Sequence, residues 1–285
     1  MKTLTLKSYA KINLYLEVTG KRPDGYHTLK MIMTRISLFD DIALTLKEEG
    51  ISIACDNSGV PEGEKNIAWR AARDFIQKTA IKTGVHIEIK KRVPMGGGLG
   101  GGSSNAATVL LGLNEIFDQA LPGEELMSTG LALGADVPFF LMNQSSAYAE
   151  GIGEILTPLD GLPQLWFVLV NPGIEIPTAS IYGALNLGLT NCRKNLNISR
   201  FDCSLAGLST LLHNDLEAVA FGRYPEVERV KALFLEGGAL GALMSGSGST
   251  VFGLFKDREA AGQFLSEMGN DIVSKGWRHY LVSSL

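Results

Sequence analysis

Six of the seven residues from Gly96 to Gly102 are glycine, within the stretch PMGGGLGGGSSNAA that begins at Pro94, and a helical pattern starts directly behind them. Lacking Cβ atoms, such a backbone passes close to a bulky anion and aims its N–H groups at it. The helix N-terminus adds a partial positive charge. A phosphate or pyrophosphate is the natural occupant. A Walker-type loop is excluded, because it needs Lys and then Ser or Thr after its last glycine, and Gly102 is followed by Ser103. The dinucleotide fingerprint GxGxxG is met by Gly96, Gly98 and Gly101 only because nearly every position is glycine. The helix leads into DQALPGEEL, which reads as turn and helix, not as the strand with a terminal acid that a dinucleotide fold requires. A flexible linker is the remaining alternative, but linkers do not normally open into a capped amphipathic helix.

The helix behind the loop begins near Ser103, with Ser103 and Ser104 as N-cap candidates and Ala106, Leu110, Leu113 and Phe117 as its apolar stripe. Leu4–Val18 alternates as a strand does, placing Lys11 and Asn13 together on the face opposite Ile12 and Leu14. Shorter strands are predicted at Ile42–Leu46, Ile51–Cys55 and Val85–Ile89, with helices at Glu64–Thr79 and Glu124–Leu133. Gly134 ends the latter helix and Pro138 prevents its immediate continuation, so Asp136 sits in a turn. After about Leu156 the pattern restarts with the apolar WFVLV, then an NPG turn, and later LMSGSGSTVFGLF, two strands around a Ser/Gly loop. At 285 residues two domains are expected, 1–155 and 156–285, in an α+β fold without a strict βαβ rhythm.

Hydrophobic residues at 45% and charged residues at 20% describe a folded, water-soluble chain. The net charge of -4, without a long basic run, argues against nucleic acid as a partner. The N-terminus lacks the apolar core of a signal peptide, and no segment approaches membrane-spanning length. Cys55, Cys192 and Cys203 have neither disulfide-framework nor zinc spacing, so a cytoplasmic location fits best. Oligomeric state is not legible.

The loop PMGGGLGGGSSNAA resembles the phosphate-binding motif of the GHMP kinases, the family of galactokinase, homoserine kinase, mevalonate kinase and phosphomevalonate kinase. Three further blocks resemble the branch of that family acting on a cytidine diphosphate-linked methylerythritol: AKINLYLEVTGKRPDGYHTL from Ala10, LGADVPFF from Leu133 and NPGIEIPTASIY from Asn171. MSGSGSTVFGLF from Met244 is similar to the family's last glycine motif. The resemblance implies a two-domain GHMP kinase-like fold with the active site in the interdomain cleft. It also implies transfer of a phosphoryl group from ATP, with Mg2+, to a hydroxyl of that small-molecule substrate. Residues from about Gly183 to Leu212 resemble none of these blocks, and no role is assigned to them.

By this resemblance Lys11 and Asp136 form the catalytic pair, the carboxylate taking or orienting the hydroxyl proton and the ammonium holding the reacting groups. On the residues alone Asp136 reads as an ordinary turn aspartate and Lys11 does not differ from an exposed strand lysine; the flanking blocks reverse that reading. The resemblance assigns the nucleotide to Pro94, Gly96, Gly97, Gly98, Leu99, Gly100, Gly101, Gly102, Ser103 and Ser104, with Asn66, Ile67 and Lys91 about the adenine. Asn66 serves equally as a helix N-cap. Asn13, Tyr26, His27, Thr178, Tyr182, Ser245, Gly246 and Ser247 are implied for the substrate, with Tyr26 and Tyr182 stacking on the pyrimidine and His27 bonding its edge. Taken alone, Ser245–Gly248 is a hairpin connection. No protein ligand for the metal is assigned. Another GHMP kinase, of homoserine or mevalonate type, and a non-catalytic nucleotide-binding protein are the alternatives.

Overall fold

The computed structural model describes residues 3–185 and 202–285. In chain order its elements are β1 (Thr3–Lys21), β2 (His27–Lys47), β3 (Ile51–Cys55), α1 (Ile67–Thr79), β4 (Gly84–Lys90), α2 (Gly101–Ile116), α3 (Gly123–Leu133), α4 (Val137–Leu141), β5 (Ser146–Gly151), β6 (Ile155–Pro158) and β7 (Trp166–Asn171). They continue with α5 (Thr178–Ala184), α6 (Leu205–Leu211), β8 (His213–Asn214), α7 (Glu217–Arg223), α8 (Pro225–Glu236), β9 (Gly241–Met244), β10 (Val251–Phe255), α9 (Arg258–Ser274) and β11 (Arg278–Ser283). Most described strand pairings are antiparallel; β3–β4 and β1–β8 are parallel. This is an α+β chain. No helix among the described residues is long and apolar enough to cross a membrane.

The chain forms two compact units that interleave in sequence. One comprises Met1–Ala10, Leu38–Val93 and Gly100–Asn143; the other comprises Lys11–Ser37, Pro94–Leu99 and Gln144–Leu285. The two long strands β1 and β2 each contribute one end to each unit, so a single cut at residue 155 does not describe this grouping.

In the first unit the C-terminal half of β2 pairs with β4, and β4 with β3. Helices α1 and α2 pack together, and each buries small residues fully, Ala68, Ala71 and Ala72 in one and Ala106 and Ala107 in the other. Phe75 stacks on Phe117 with ring centroids 6.2 Å apart. Gly112 leaves room for the leucines over it: a Cβ there would come 2.6 Å from Cδ1 of both Leu44 and Leu6.

The second unit is built on the antiparallel sheet β11-β7-β10-β9. Phe234 of α8, Phe264 of α9 and Phe255 of β10 form a cluster with centroids 5.0–6.5 Å apart. The same unit holds the β5–β6 hairpin against the first half of β2, and β8 beside β1.

Three local expectations change. The helix behind the glycine loop starts at Gly101, not Ser103; its N-cap position is Gly100, with φ 68°, and no side chain caps it. The helix expected from Glu64 starts at Ile67, because a short 3-10 turn over Gly63–Lys65 ends at Asn66, and Asn66 then caps α1. The helix α3 ends at Leu133 and Asp136 lies in a turn, as expected, but Pro138 then falls in the first turn of a further short helix, α4, where proline's missing N–H costs nothing.

Candidate active site

In the first unit the glycine loop delivers its last residues to the start of α2. The first N–H groups of any helix have no intrahelical partner, and among the described residues no side chain caps them here. Gly101, exposed Gly102 and half-buried Ser103 therefore present backbone donors at the positive end of a 16-residue helix. This suits an anion. Ser104, expected among the phosphate-binding residues, turns inward: its Oγ donates to the Tyr9 carbonyl at 2.6 Å and its N–H to the Gly100 carbonyl at 2.9 Å.

Beneath this turn lies a buried polar network that the sequence did not disclose. Asp40, wholly buried, accepts four hydrogen bonds: from Lys91 Nζ at 2.5 Å and Asn105 Nδ2 at 2.9 Å on one oxygen, and from the Arg92 and Val93 N–H groups at 2.7 and 2.9 Å on the other. Asn105 also donates to Ser8, and Ser8 to Ser104. Lys91, expected beside an adenine, is ion-paired with Asp40, and a Cβ on Gly101 would stand 3.2 Å from its Nζ.

Asn66 serves as an N-cap, its Oδ1 accepting from the Ala68 N–H at 2.9 Å and its Nδ2 donating to the Pro61 carbonyl at 2.9 Å. Half-buried Ile67 lies 3.6 Å from where a Cβ on Gly102 would stand and 3.7 Å from one on Gly134. It therefore brings the start of α2 and the turn before Asp136 together. Asp136 occupies the N-cap position of α4, half-buried, yet its carboxylate does not cap that helix.

In the second unit Lys11 and Asn13 do share a face, but no side of β1 is solvated there, since Ala10–Val18 are all buried. Lys11 Nζ donates to Asn13 Oδ1 at 2.6 Å, and the Lys11 N–H donates to the Leu99 carbonyl at 3.0 Å. Gly97 and Gly98 lie against the second glycine loop, which is the β9–β10 hairpin connection, while a Cβ on Gly96 would stand 3.4 Å from the Glu175 side chain and Pro94 is buried. Ser245 Oγ donates to the Gly98 carbonyl at 2.9 Å, and the Asn13 N–H reaches Ser245 Oγ at 3.3 Å. Gly98, at φ 74°, admits no side chain, because a Cβ would fall 1.9 Å from the Ser245 carbonyl oxygen. Gly97 sits on Thr250 and Asn171, which bond each other at 2.9 Å. Neither was legible as a site residue.

Of the residues expected to meet the substrate, Ser247 and Thr178 share a hydroxyl hydrogen bond of 2.9 Å. Tyr182 lies on His27, with centroids 5.3 Å apart and planes at 31°, while Tyr26 is 61% exposed in the turn before His27. The close ring pair is therefore His27–Tyr182. Burial, and then the nearby Lys21 ammonium, lower the His27 pKa below 6.5, so the imidazole is neutral at pH 7. A neutral ring offers one donor and one acceptor.

The GHMP kinase N-terminal domain model matches residues 66–144 and the GHMP kinase C-terminal model residues 194–273. A 4-diphosphocytidyl-2-C-methyl-D-erythritol kinase from Geobacter sp. (strain M21) is 50% identical over 278 residues, 97% of each chain. A solved structure of 4-(cytidine 5′-diphospho)-2C-methyl-D-erythritol kinase is 33% identical, covers 99% of both chains and superposes with a TM-score of 0.82. The homoserine kinase of Cytophaga hutchinsonii, 18% identical with a TM-score of 0.74, shares the fold.

Proposed function

Because the chain belongs to the GHMP kinases, and within them to the 4-diphosphocytidyl-2-C-methyl-D-erythritol kinase family, we propose that its glycine loop holds ATP and that Lys11 and Asp136 promote transfer. The chain is a kinase of the non-mevalonate isoprenoid pathway, and 4-diphosphocytidyl-2-C-methyl-D-erythritol is its acceptor. The reacting group in this reading is the acceptor's 2-hydroxyl. The observation that carries it is the start of α2, where the glycine loop ends in backbone donors that no side chain among the described residues caps.

When bound, ATP would supply the γ-phosphoryl group, with Mg2+ on its phosphates offsetting charge. The rest falls to the chain. Gly101, Gly102 and Ser103 hold phosphate oxygens through backbone N–H groups, with Gly96–Gly100 giving the close approach. Lys91 acts through Asp40, fixing the turn that presents those donors. Ile67 lends an apolar surface. Lys11, its ammonium fixed by Asn13, stabilises charge on the transferring group. Asp136, half-buried in the turn that leads into α4, takes or orients the hydroxyl proton. His27 bonds the pyrimidine edge as a neutral ring, Tyr182 and Tyr26 offer stacking faces, and Thr178 with Ser245–Ser247 positions the acceptor.

Asp136→Asn tests the assignment. Turnover should fall by roughly 10²–10⁴ while MgATP binding, followed by calorimetry, is preserved. Wild-type turnover in that variant would sink it.

A further inference from the structure

Five residues that no role above uses, His213–Glu217, tie the second glycine loop to the strand carrying Lys11 and Asn13. β8 runs parallel to β1 with Leu16 opposite Asn214. The Asp215 N–H donates to the Leu16 carbonyl at 3.0 Å, and the Asp215 carboxylate accepts from the Val18 N–H at 2.7 Å. On the other side, Glu217 accepts from the Met244 N–H at 2.9 Å and is itself held by Lys231 at 2.6 Å. Asn214 stands in the middle, 4% exposed. Its Nδ2 donates to the carbonyls of Met244 at 2.7 Å and Gly246 at 2.8 Å, and its Oδ1 accepts from the Leu216 N–H at 3.0 Å.

Both amide hydrogens are thus committed to carbonyls that bracket Ser245. In a trans peptide the carbonyl and the next N–H point in opposite directions. Anchoring the Gly246 carbonyl therefore turns the Ser247 N–H away from Asn214. Gly246, at φ 56°, has no side chain to restrict it, and Ser245 is bonded to Gly98 and Asn13 of the same unit. The loop closes on itself through the Gly248 N–H to the Ser245 carbonyl at 3.0 Å and the Ser245 N–H to the Thr250 carbonyl at 2.9 Å, but neither bond holds the Gly246–Ser247 peptide, which Asn214 does.

We propose that Asn214 is a positioning residue for phosphoryl transfer, holding the Ser245–Ser247 loop so that the Ser247 N–H serves as a fixed donor to the substrate's anionic oxygens. This rests on the reading that the loop meets the substrate. Asn214 touches no reacting atom; it acts through the Gly246 peptide. The carboxamide is required because only it offers two donors from one nitrogen at this reach.

The test uses Asn214→Ala, which deletes the donors, and Asn214→Asp, which sets an acceptor against two carbonyls. Turnover should fall by about 10-fold in the first and about 10²-fold in the second, since small misplacements at a reacting centre cost that much. Hydrogen exchange should rise at residues 244–250 and stay unchanged in α1 and α2. In Asn214→Asp, activity relative to wild type should recover as pH falls and the carboxyl gains a proton it can donate, a signature that loss of packing alone does not give. Folded Asn214→Ala with wild-type turnover and wild-type exchange at 244–250 overturns the proposal. Gly246→Ala separates the two levels: if it too turns over normally, the loop has no part in the reaction. If it is impaired while Asn214→Ala is not, the loop reading stands and only Asn214 is wrongly placed.

Discussion

At the scale of single residues, the side chains that matter are defined by what fixes them. Lys11 would be an ordinary strand lysine but for Asn13, whose Oδ1 accepts from its ammonium at 2.6 Å inside a strand buried on both sides. His27 is fixed by desolvation. Its lowered pKa leaves it neutral when folded, whereas in the unfolded chain it takes up a proton near pH 6.5. The unfolded state therefore binds more protons below 6.5, so this group's contribution to stability is present above that value and is lost as pH falls through it. For activity, the KM of the acceptor should be flat through pH 6.5 and rise only at more acid pH, when both ring nitrogens become donors. A KM already climbing at pH 6.5 would place a protonated imidazole at the pyrimidine and contradict the assignment. The pairing of Lys11 with Asn13 was legible, because period-two alternation puts residues two apart on one face. Asp40 was not: its partners Lys91 and Asn105 lie far along the chain, and no local pattern marks an aspartate in FDD as buried. Asn214 escaped for the same reason.

At the scale of elements, the glycine run announced a loop opening into a helix, and the structure has one. The sequence suggested a serine cap, yet the helix begins two residues earlier on a left-handed glycine, which leaves its donors uncovered. That difference is chemical: a capped start would have some of its donors already occupied. The turn is held by the Asp40 hub, which joins β2, the segment after β4 and α2 through four hydrogen bonds. Asp40→Asn would leave the Lys91 ammonium buried without its counter-charge, a loss of about 3–5 kcal/mol of folding stability. Urea unfolding measures it, and a loss below about 1 kcal/mol would mean that the pair behaves as an exposed one. The KM for ATP should rise in the same variant, because the start of α2 loses its footing. Elements read correctly in outline include β3, β4, α3 and the β9–β10 hairpin, whose alternation or caps are local. The short β8 carries no periodic signal, being two residues long, and its place is set by pairing with β1.

At the scale of the whole molecule, the chain passes from one compact unit to the other after Ala10, Ser37, Val93, Leu99 and Asn143. A linear boundary near residue 155 follows from where apolar patterns restart, and such patterns carry no information about a strand shared by two units. The family, by contrast, was legible from blocks distributed along the chain, and 50% identity over 278 residues accords with them. The most direct measurement is ADP release by the purified protein with MgATP, offered 4-diphosphocytidyl-2-C-methyl-D-erythritol, homoserine, mevalonate or no acceptor. Turnover confined to the cytidyl substrate is the predicted result; turnover with homoserine or mevalonate, or none with any acceptor, would contradict it.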